Sequence, residues 1–169
     1  MNETTENNEA STVEWDTKYS WKLWYHSVAD NTWTKDSYKE IFTINNLGDY
    51  EILKESIKKS HLQNCMLFLM KGDILPIWED PENIDGCSLS FKISGKDVVK
   101  EWNDMILNTI TEDIFLTEYH NINGLSISPK KEFNIIKIWT KDHVKKYSDL
   151  YKDNGKHFSD KNVLIKSHK

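Results

Sequence analysis

Apolar residues recur along this chain with two different periods, and the changes between them mark its elements. Ser20 to His26 alternates, with Trp21, Leu23 and Tyr25 on one face and Lys22, Trp24 and His26 on the other, as in a strand. Val28 to Ser37 is polar and predicts a loop with Trp33 in its middle, after which Tyr38 to Ile44 returns to strand. From Asn46 to Ser60 the period lengthens: Leu47, Tyr50, Leu53 and Ile57 recur at three and four, which predicts a helix. Cys65 to Met70 reads as a strand ending at the turn Lys71-Gly72-Asp73, and Cys87 to Ile93 as another. Ser94 is placed to cap a helix running to about Thr111, with Val98, Trp102, Met105, Ile106 and Ile110 in one stripe. Leu125–Ser128 and Phe133–Thr140 form a predicted hairpin around Pro129-Lys130-Lys131. Lys141 to Tyr151 predicts a further helix, with Val144, Tyr147 and Tyr151 on one face, and Asn162 to Lys166 a short last strand. Strand pairs separated by single helices fit α/β or α+β, and the hairpin spacing favours a mostly antiparallel sheet.

Length and composition narrow the picture. A chain of 169 residues is one ordinary domain that needs no disulfide or metal staple. Residues 1–14 have the polar, acidic composition of a flexible tail, which leaves 15–169 as a single domain. Seven Trp is high, and all 22 basic side chains are Lys, with no Arg. Any anion must therefore be held by Lys, backbone amides or helix ends, without bidentate guanidinium contacts. The net charge of −5 is unevenly spread: residues 130–169 carry eleven Lys against five acids. This argues against a broad nucleic-acid surface and for one local anion site near the C-terminal third.

The sequence lacks the marks of common catalytic sites. Gly95-Lys96 has Ser90 where a phosphate loop needs its first Gly, and Gly124-Leu125-Ser126-Ile127-Ser128 lacks the closing Gly of a nucleophile elbow. Six scattered His and two Cys give no zinc spacing, so no metal, cofactor or enzymatic activity is expected. Cys65 and Cys87 lie in apolar runs, and the N-terminus reads as neither leader nor anchor; reduced thiols in a cytoplasmic protein are expected.

Three tryptophans occupy settings that a core residue rarely has. Trp33 lies in Asn31-Thr32-Trp33-Thr34-Lys35, Trp78 between two prolines in Pro76-Ile77-Trp78-Glu79-Asp80-Pro81, and Trp139 just before the polar Thr140-Lys141-Asp142. Trp21, Trp24 and Trp102 sit instead on periodic stripes of the fold. Two loop indoles can sandwich a flat ring, and a neighbouring carboxylate suits guanine, which offers two adjacent donors on its edge. A cationic base would add cation–π attraction. Structural loop tryptophans and an aromatic-lined sugar site fit the same residues.

The chain resembles the eukaryotic translation initiation factor 4E family, which binds the 7-methylguanosine cap of mRNA. The resemblance runs from about Trp15 to His168. It rests on Ser20-Trp21-Lys22-Leu23-Trp24-Tyr25, Asn31-Thr32-Trp33, Pro76-Ile77-Trp78-Glu79-Asp80, Glu101-Trp102, Ile136-Lys137-Ile138-Trp139-Thr140 and Val163-Leu164-Ile165-Lys166-Ser167-His168. It implies an α+β fold: a curved, mostly antiparallel sheet with three long helices on its convex face and a cap slot on the concave one. It also implies roles: Trp33 and Trp78 stack on the base, Glu79 reads the guanine edge, and Trp139 contacts the N7-methyl group.

The departures from the family concern phosphates and partners. Lys130 takes the position of the family's phosphate-binding Arg, with Lys131 adjacent, while the two Lys positions that follow are Glu132 and Ile135. On the back face, where the family receives an initiation scaffold or repressors carrying a Tyr-x4-Leu motif, a central Trp is replaced by Glu51. Trp15 stands in for a His-Pro pair, Asn103 for a Leu and Leu47 for a Val. A divergent monomer, viral or protist, is therefore expected, binding capped mRNA with weakened or altered scaffold binding. Two other readings use the same residues: a protein-interaction module with a decayed slot, or a small-ligand binder.

Overall fold

The computed structural model describes residues 15–169, so the expected acidic tail lies outside the described residues. Seven antiparallel strands form one curved sheet: β1 (Asp16–Ser27), β2 (Lys39–Asn46), β3 (Cys65–Lys71), β4 (Cys87–Ser94), β5 (Ile122–Pro129), β6 (Phe133–Thr140) and β7 (Val163–Ser167). Their spatial order is β2-β1-β3-β5-β6-β4-β7. Three helices back it, α1 (Leu47–Ser56), α2 (Lys59–Asn64) and α3 (Val98–Ile110), giving the α+β architecture that the resemblance implies.

Alternation along the strands gives the sheet two unlike faces. Trp21, Leu23, Leu69, Leu125, Ile138 and Leu89 point toward the helices and form the main core with Trp102 and Met105 of α3. The opposite face carries the alternate residues. Register aligns Trp24, Phe68, Ser126, Lys137, Ser90 and Leu164 in one row, with Met70, Gly124, Trp139, Ser88 and Lys166 in the next. Phe68, Met70 and Trp139 make a smaller buried cluster there, with Trp24 and Tyr38 against it. A side chain on Gly124 would collide with Met70 and the Leu69 carbonyl, so the row needs glycine at that point.

Three element expectations are corrected. The helix expected over Asn46–Ser60 breaks at Ile57 and Lys58, both extended, into α1 and α2. Leu53 and Leu62 are both buried, yet nine residues apart they would face opposite sides of an unbroken helix; the break turns both inward. Asn46 caps α1, its side chain accepting the Asp49 N–H at 2.8 Å. The helix expected to be capped by Ser94, α3, starts at Val98 with Asp97 as N-cap, while Ser94 donates its hydroxyl to the Asp97 carboxylate at 3.0 Å.

The helix expected over Lys141–Tyr151 is not formed; only Tyr147–Asp149 makes a 3-10 turn. Its backbone donors go elsewhere: Lys141 N–H to the Asn121 carbonyl, Val144 N–H to Cys87 Sγ and Ser148 N–H to Asp160. Tertiary acceptors thus override local propensity, although Val144, Tyr147 and Tyr151 are buried as their spacing suggested. The helices are accordingly shorter than expected, at 10, 6 and 13 residues.

Candidate functional site

On the face away from the helices lies an open pocket of ≈ 660 Å³. Trp33, Trp78, Glu79, Trp139 and Lys130 line it together, although they come from three loops and a strand. Phe68 and Ser126 belong to its wall, as do Tyr38 and Lys137, which the sequence reading did not select.

Trp33 projects from the loop between β1 and β2 and is 51% exposed. The loop is braced by Asp30, whose carboxylate accepts the Thr32 N–H at 2.7 Å in a local turn. One indole face is already covered: the fully buried His26 ring lies parallel to it, with centroids 4.3 Å apart and planes 4° apart. Both His26 nitrogens sit on carbonyl oxygens, Nδ1 at 2.9 Å from Ser27 and Nε2 at 2.8 Å from Thr32. The residue before Trp33 is therefore pinned by the same ring that backs it.

Trp78 lies on the loop between β3 and β4 and is 37% exposed. Here Asp80 accepts the Leu75 and Glu82 N–H groups, each at 2.9 Å. Asn83 donates to the Leu75 and Ile77 carbonyls, also at 2.9 Å. These side chains fix a proline-flanked loop that has no ladder partner of its own. His168 from the chain's end packs near-parallel to Trp78 at 5.7 Å and tilted against Trp139 at 5.3 Å. It is held by Ser88 Oγ on Nε2 and the Asn83 carbonyl on Nδ1, both at 2.7 Å. Burial pushes the His168 imidazole below the usual histidine range. Lys166 places its ammonium 4.9 Å from the Trp78 ring centroid.

Trp139 differs from the other two. It is 3% exposed, packs edge-on against Phe68, and donates its indole N–H to Ser126 Oγ at 2.9 Å. Its ring belongs to the second buried cluster and meets the pocket as part of its floor, so the expectation that its setting is not that of a core residue is corrected. Glu79 is exposed and makes no hydrogen bond or ion pair among the described residues. Burial, and after it the Glu79 carboxylate, push the Tyr38 hydroxyl up to about 12.

Lys130 lines the pocket, but Lys131 does not. Lys137 does, from the strand row shared with Ser126. Burial first, then Lys130 and Lys166, hold its amine below the ordinary lysine value. None of these three lysines pairs with an acid among the described residues.

On the helical face Trp15 is 69% exposed, and its carbonyl accepts the Leu47 N–H at 2.9 Å, which brings the two together. Glu51 is exposed and 3.5 Å from Lys54. Asn103 lies beneath this surface: it is 8% exposed and its carbonyl accepts the Tyr50 hydroxyl at 3.1 Å. Among the described residues no helix is long and apolar enough to cross a membrane.

Comparison with known proteins agrees on one family. The model of the family described as eukaryotic initiation factor 4E matches residues 16–161. Eukaryotic translation initiation factor 4E-1 of Caenorhabditis elegans is 27% identical over 144 residues, 82% of this chain and 68% of the relative. Eukaryotic translation initiation factor 4E of Saccharomyces cerevisiae is 27% identical over 132 residues, covering 74% of this chain but only 61% of its own length. The fold matches C. elegans eIF4E-3, solved with the 4E-binding protein Mextli and a cap analog. That match has a TM-score of 0.68 and 22% identity over 76% of this chain and 75% of that one. Schistosome eIF4E, solved with m7GpppG and 4E-BP, matches with a TM-score of 0.69 and 19% identity over 79% and 75%. With the family model matched across nearly all of the sheet and its helices, the chain belongs to the eukaryotic initiation factor 4E family.

Proposed function

We propose that the protein binds the 7-methylguanosine cap of mRNA in this pocket and acts, without catalysis, in translation initiation or its regulation. The observation that carries the reading is the convergence of two exposed loop indoles, Trp33 and Trp78, with Glu79 on one cavity floored by Trp139. Residues 15–169 form the single cap-binding domain.

In this reading the methylated base enters between Trp33 and Trp78, and the Glu79 carboxylate accepts the guanine N1–H and N2 amino group. The N7-methyl group rests on Trp139. The positive charge on the base favours both indole faces, and stacking contributes about 1–3 kcal/mol per base, enough with the charged edge contact for micromolar binding or better. The cap phosphates lie toward Lys130 and Lys137, and Lys131 adds charge at the hairpin tip. The relatives solved with cap analogues and 4E-binding proteins support the same ligand class and a protein partner, which the family resemblance assigns to the helical face. Here that face carries Glu51, Trp15 and Leu47, so a Tyr-x4-Leu partner would have to bury a carboxylate now solvated and 3.5 Å from Lys54, and it binds weakly or differently. The protein works as a cytoplasmic monomer.

Intrinsic tryptophan fluorescence titrated with 7-methyl-GTP, GTP and a glycan tests this. Selective quenching by the methylated nucleotide, lost in Trp78→Ala and Glu79→Gln, is expected. Equal weak responses to all three ligands overturn the reading, and a response to the glycan alone favours a sugar site.

A further inference from the structure

The charges on the face that holds the pocket differ between its two sides. On β1, Lys22 is occupied by Asp73 at 2.8 Å and Glu40 at 3.9 Å. The half built from β6, β4 and β7 presents Lys137, Lys92 and Lys166, which have no ion-pair partner among the described residues. No acidic side chain stands in its rows, which run Trp139–Ser88–Lys166, Lys137–Ser90–Leu164 and Ile135–Lys92. After burial, Lys130 and Lys166 both disfavour the charge of Lys137. Such a cluster is stabilised when an anion covers it.

The same rows carry contacts suited to bases. Leu164 is 69% exposed, on the edge strand, while its neighbours Val163 and Ile165 turn into the core. Lys92 lies over the Phe133 ring at 4.3 Å, and Lys166 lies over Trp78 itself. From Trp139 on β6 to Lys166 on β7 is two strand spacings, about 10 Å. The strip is therefore continuous with the pocket and runs from its floor to the sheet edge.

We infer that the first nucleotides following the cap run across this strip, over β4 to β7, with Lys166 and Lys92 on their phosphates and Leu164 under a base. The inference rests on the cap reading of the pocket and adds to it the direction in which the RNA chain leaves. Lysine point charges and an apolar step impose no sequence, so the strip takes single-stranded RNA of any sequence.

The test compares 7-methyl-GTP, a capped tetranucleotide and the same tetranucleotide uncapped, each titrated across a range of salt. The capped oligonucleotide is expected to bind about 5- to 10-fold more tightly than 7-methyl-GTP at low salt, with a steeper salt slope. Lys92→Gln and Leu164→Ser lie outside the pocket and should leave 7-methyl-GTP affinity unchanged while removing most of that gain. Lys92→Gln should also flatten the oligonucleotide's slope by about 0.7. If 7-methyl-GTP binds but the oligonucleotide gains nothing, or if both variants bind it like the parent, the strip is not the RNA path and the cap reading survives. If 7-methyl-GTP itself fails to bind, the cap reading falls and this inference with it.

Discussion

Replacing Glu79 by Gln isolates the group that, on the proposed reading, distinguishes guanine from other flat rings. Glu79 is exposed and unpaired among the described residues, so its substitution should change stability by no more than about 0.5 kcal/mol. The whole effect then appears in binding. A carboxylate accepting two N–H groups from the base loses its charge on substitution, and the new amide turns a donor toward a donor. Hydrogen bonds to charged groups are worth about 1.5–3 kcal/mol net, so 7-methyl-GTP should bind about 10- to 150-fold more weakly. Calorimetric titration of parent and variant measures this directly.

The structure supplies an internal control. Tyr38 titrates at about 12 because it is buried and, second, because the Glu79 carboxylate opposes its ionisation. Removing that charge should lower the Tyr38 value, read as tyrosinate absorbance against a Tyr38→Phe reference. An affinity within about threefold of the parent, with Tyr38 shifted as expected, would refute the guanine-edge role while leaving the local geometry intact. An unmoved Tyr38 would refute the geometry as well.

Other outcomes follow from the same structure. His26→Ala removes the ring behind Trp33 and its bond to the Thr32 carbonyl, and should weaken 7-methyl-GTP about 10-fold. In a double-mutant cycle with Trp33→Ala the two losses should overlap, and strict additivity would show that His26 does not act through Trp33. Folded Tyr38 and Tyr50 both stand near 12, above the unfolded value of 10, so their contribution to stability is complete below pH 10 and is lost as pH rises toward 12. Urea midpoints measured from pH 8 to 12 should fall only above pH 10. Gly86→Ala would drive a methyl group into the Thr140 backbone carbonyl and should cost about 1–3 kcal/mol, read as a lowered urea midpoint. A Tyr-x4-Leu peptide should fail to bind at micromolar concentration in a pulldown, and retention at that strength would contradict the reading of Glu51.

What the sequence made legible was whatever it expressed locally. Trp33 stands among polar residues and Trp78 between prolines, and these settings marked both as exposed before any coordinates. The alternation of Ser20 to His26 separated Trp21 and Leu23 from Trp24, and the two cores divide them in the same way. Lys137 was harder, because Ile135-Ile136-Lys137-Ile138 is apolar on both faces and hides the period that puts Lys137 beside Trp139. His168 was out of reach for another reason. It meets Trp78, ninety residues earlier, only because β7 pairs with β4 in the register Cys87↔Ser167. Its role belongs to the sheet order, on which local pattern is silent. The expected helix over Lys141–Tyr151 failed in the same way: its spacing identified the buried side chains, but the acceptors that took its backbone N–H groups came from Asn121, Cys87 and Asp160.

The absence of Arg changes the character of the site as well as its composition. A guanidinium grips a phosphate through a planar fork and so fixes its orientation, whereas an ammonium acts as a point charge with rotatable donors. With Lys130 and Lys137 in the pocket and Lys166 and Lys92 beyond it, the charge is distributed along a line instead of being focused at one clamp. On the proposed reading, orientation then comes from the base, through Trp33, Trp78 and Glu79, whose loops are braced by His26, Asp80, Asn83 and His168. These braces are side chains bonded to loop backbone, so the rigidity of the site resides in its aromatic half. The lysine half supplies attraction that falls with salt and follows the ligand's charge more than its shape. On the proposed reading, the pocket recognises one base closely and holds whatever polyanion is attached to it.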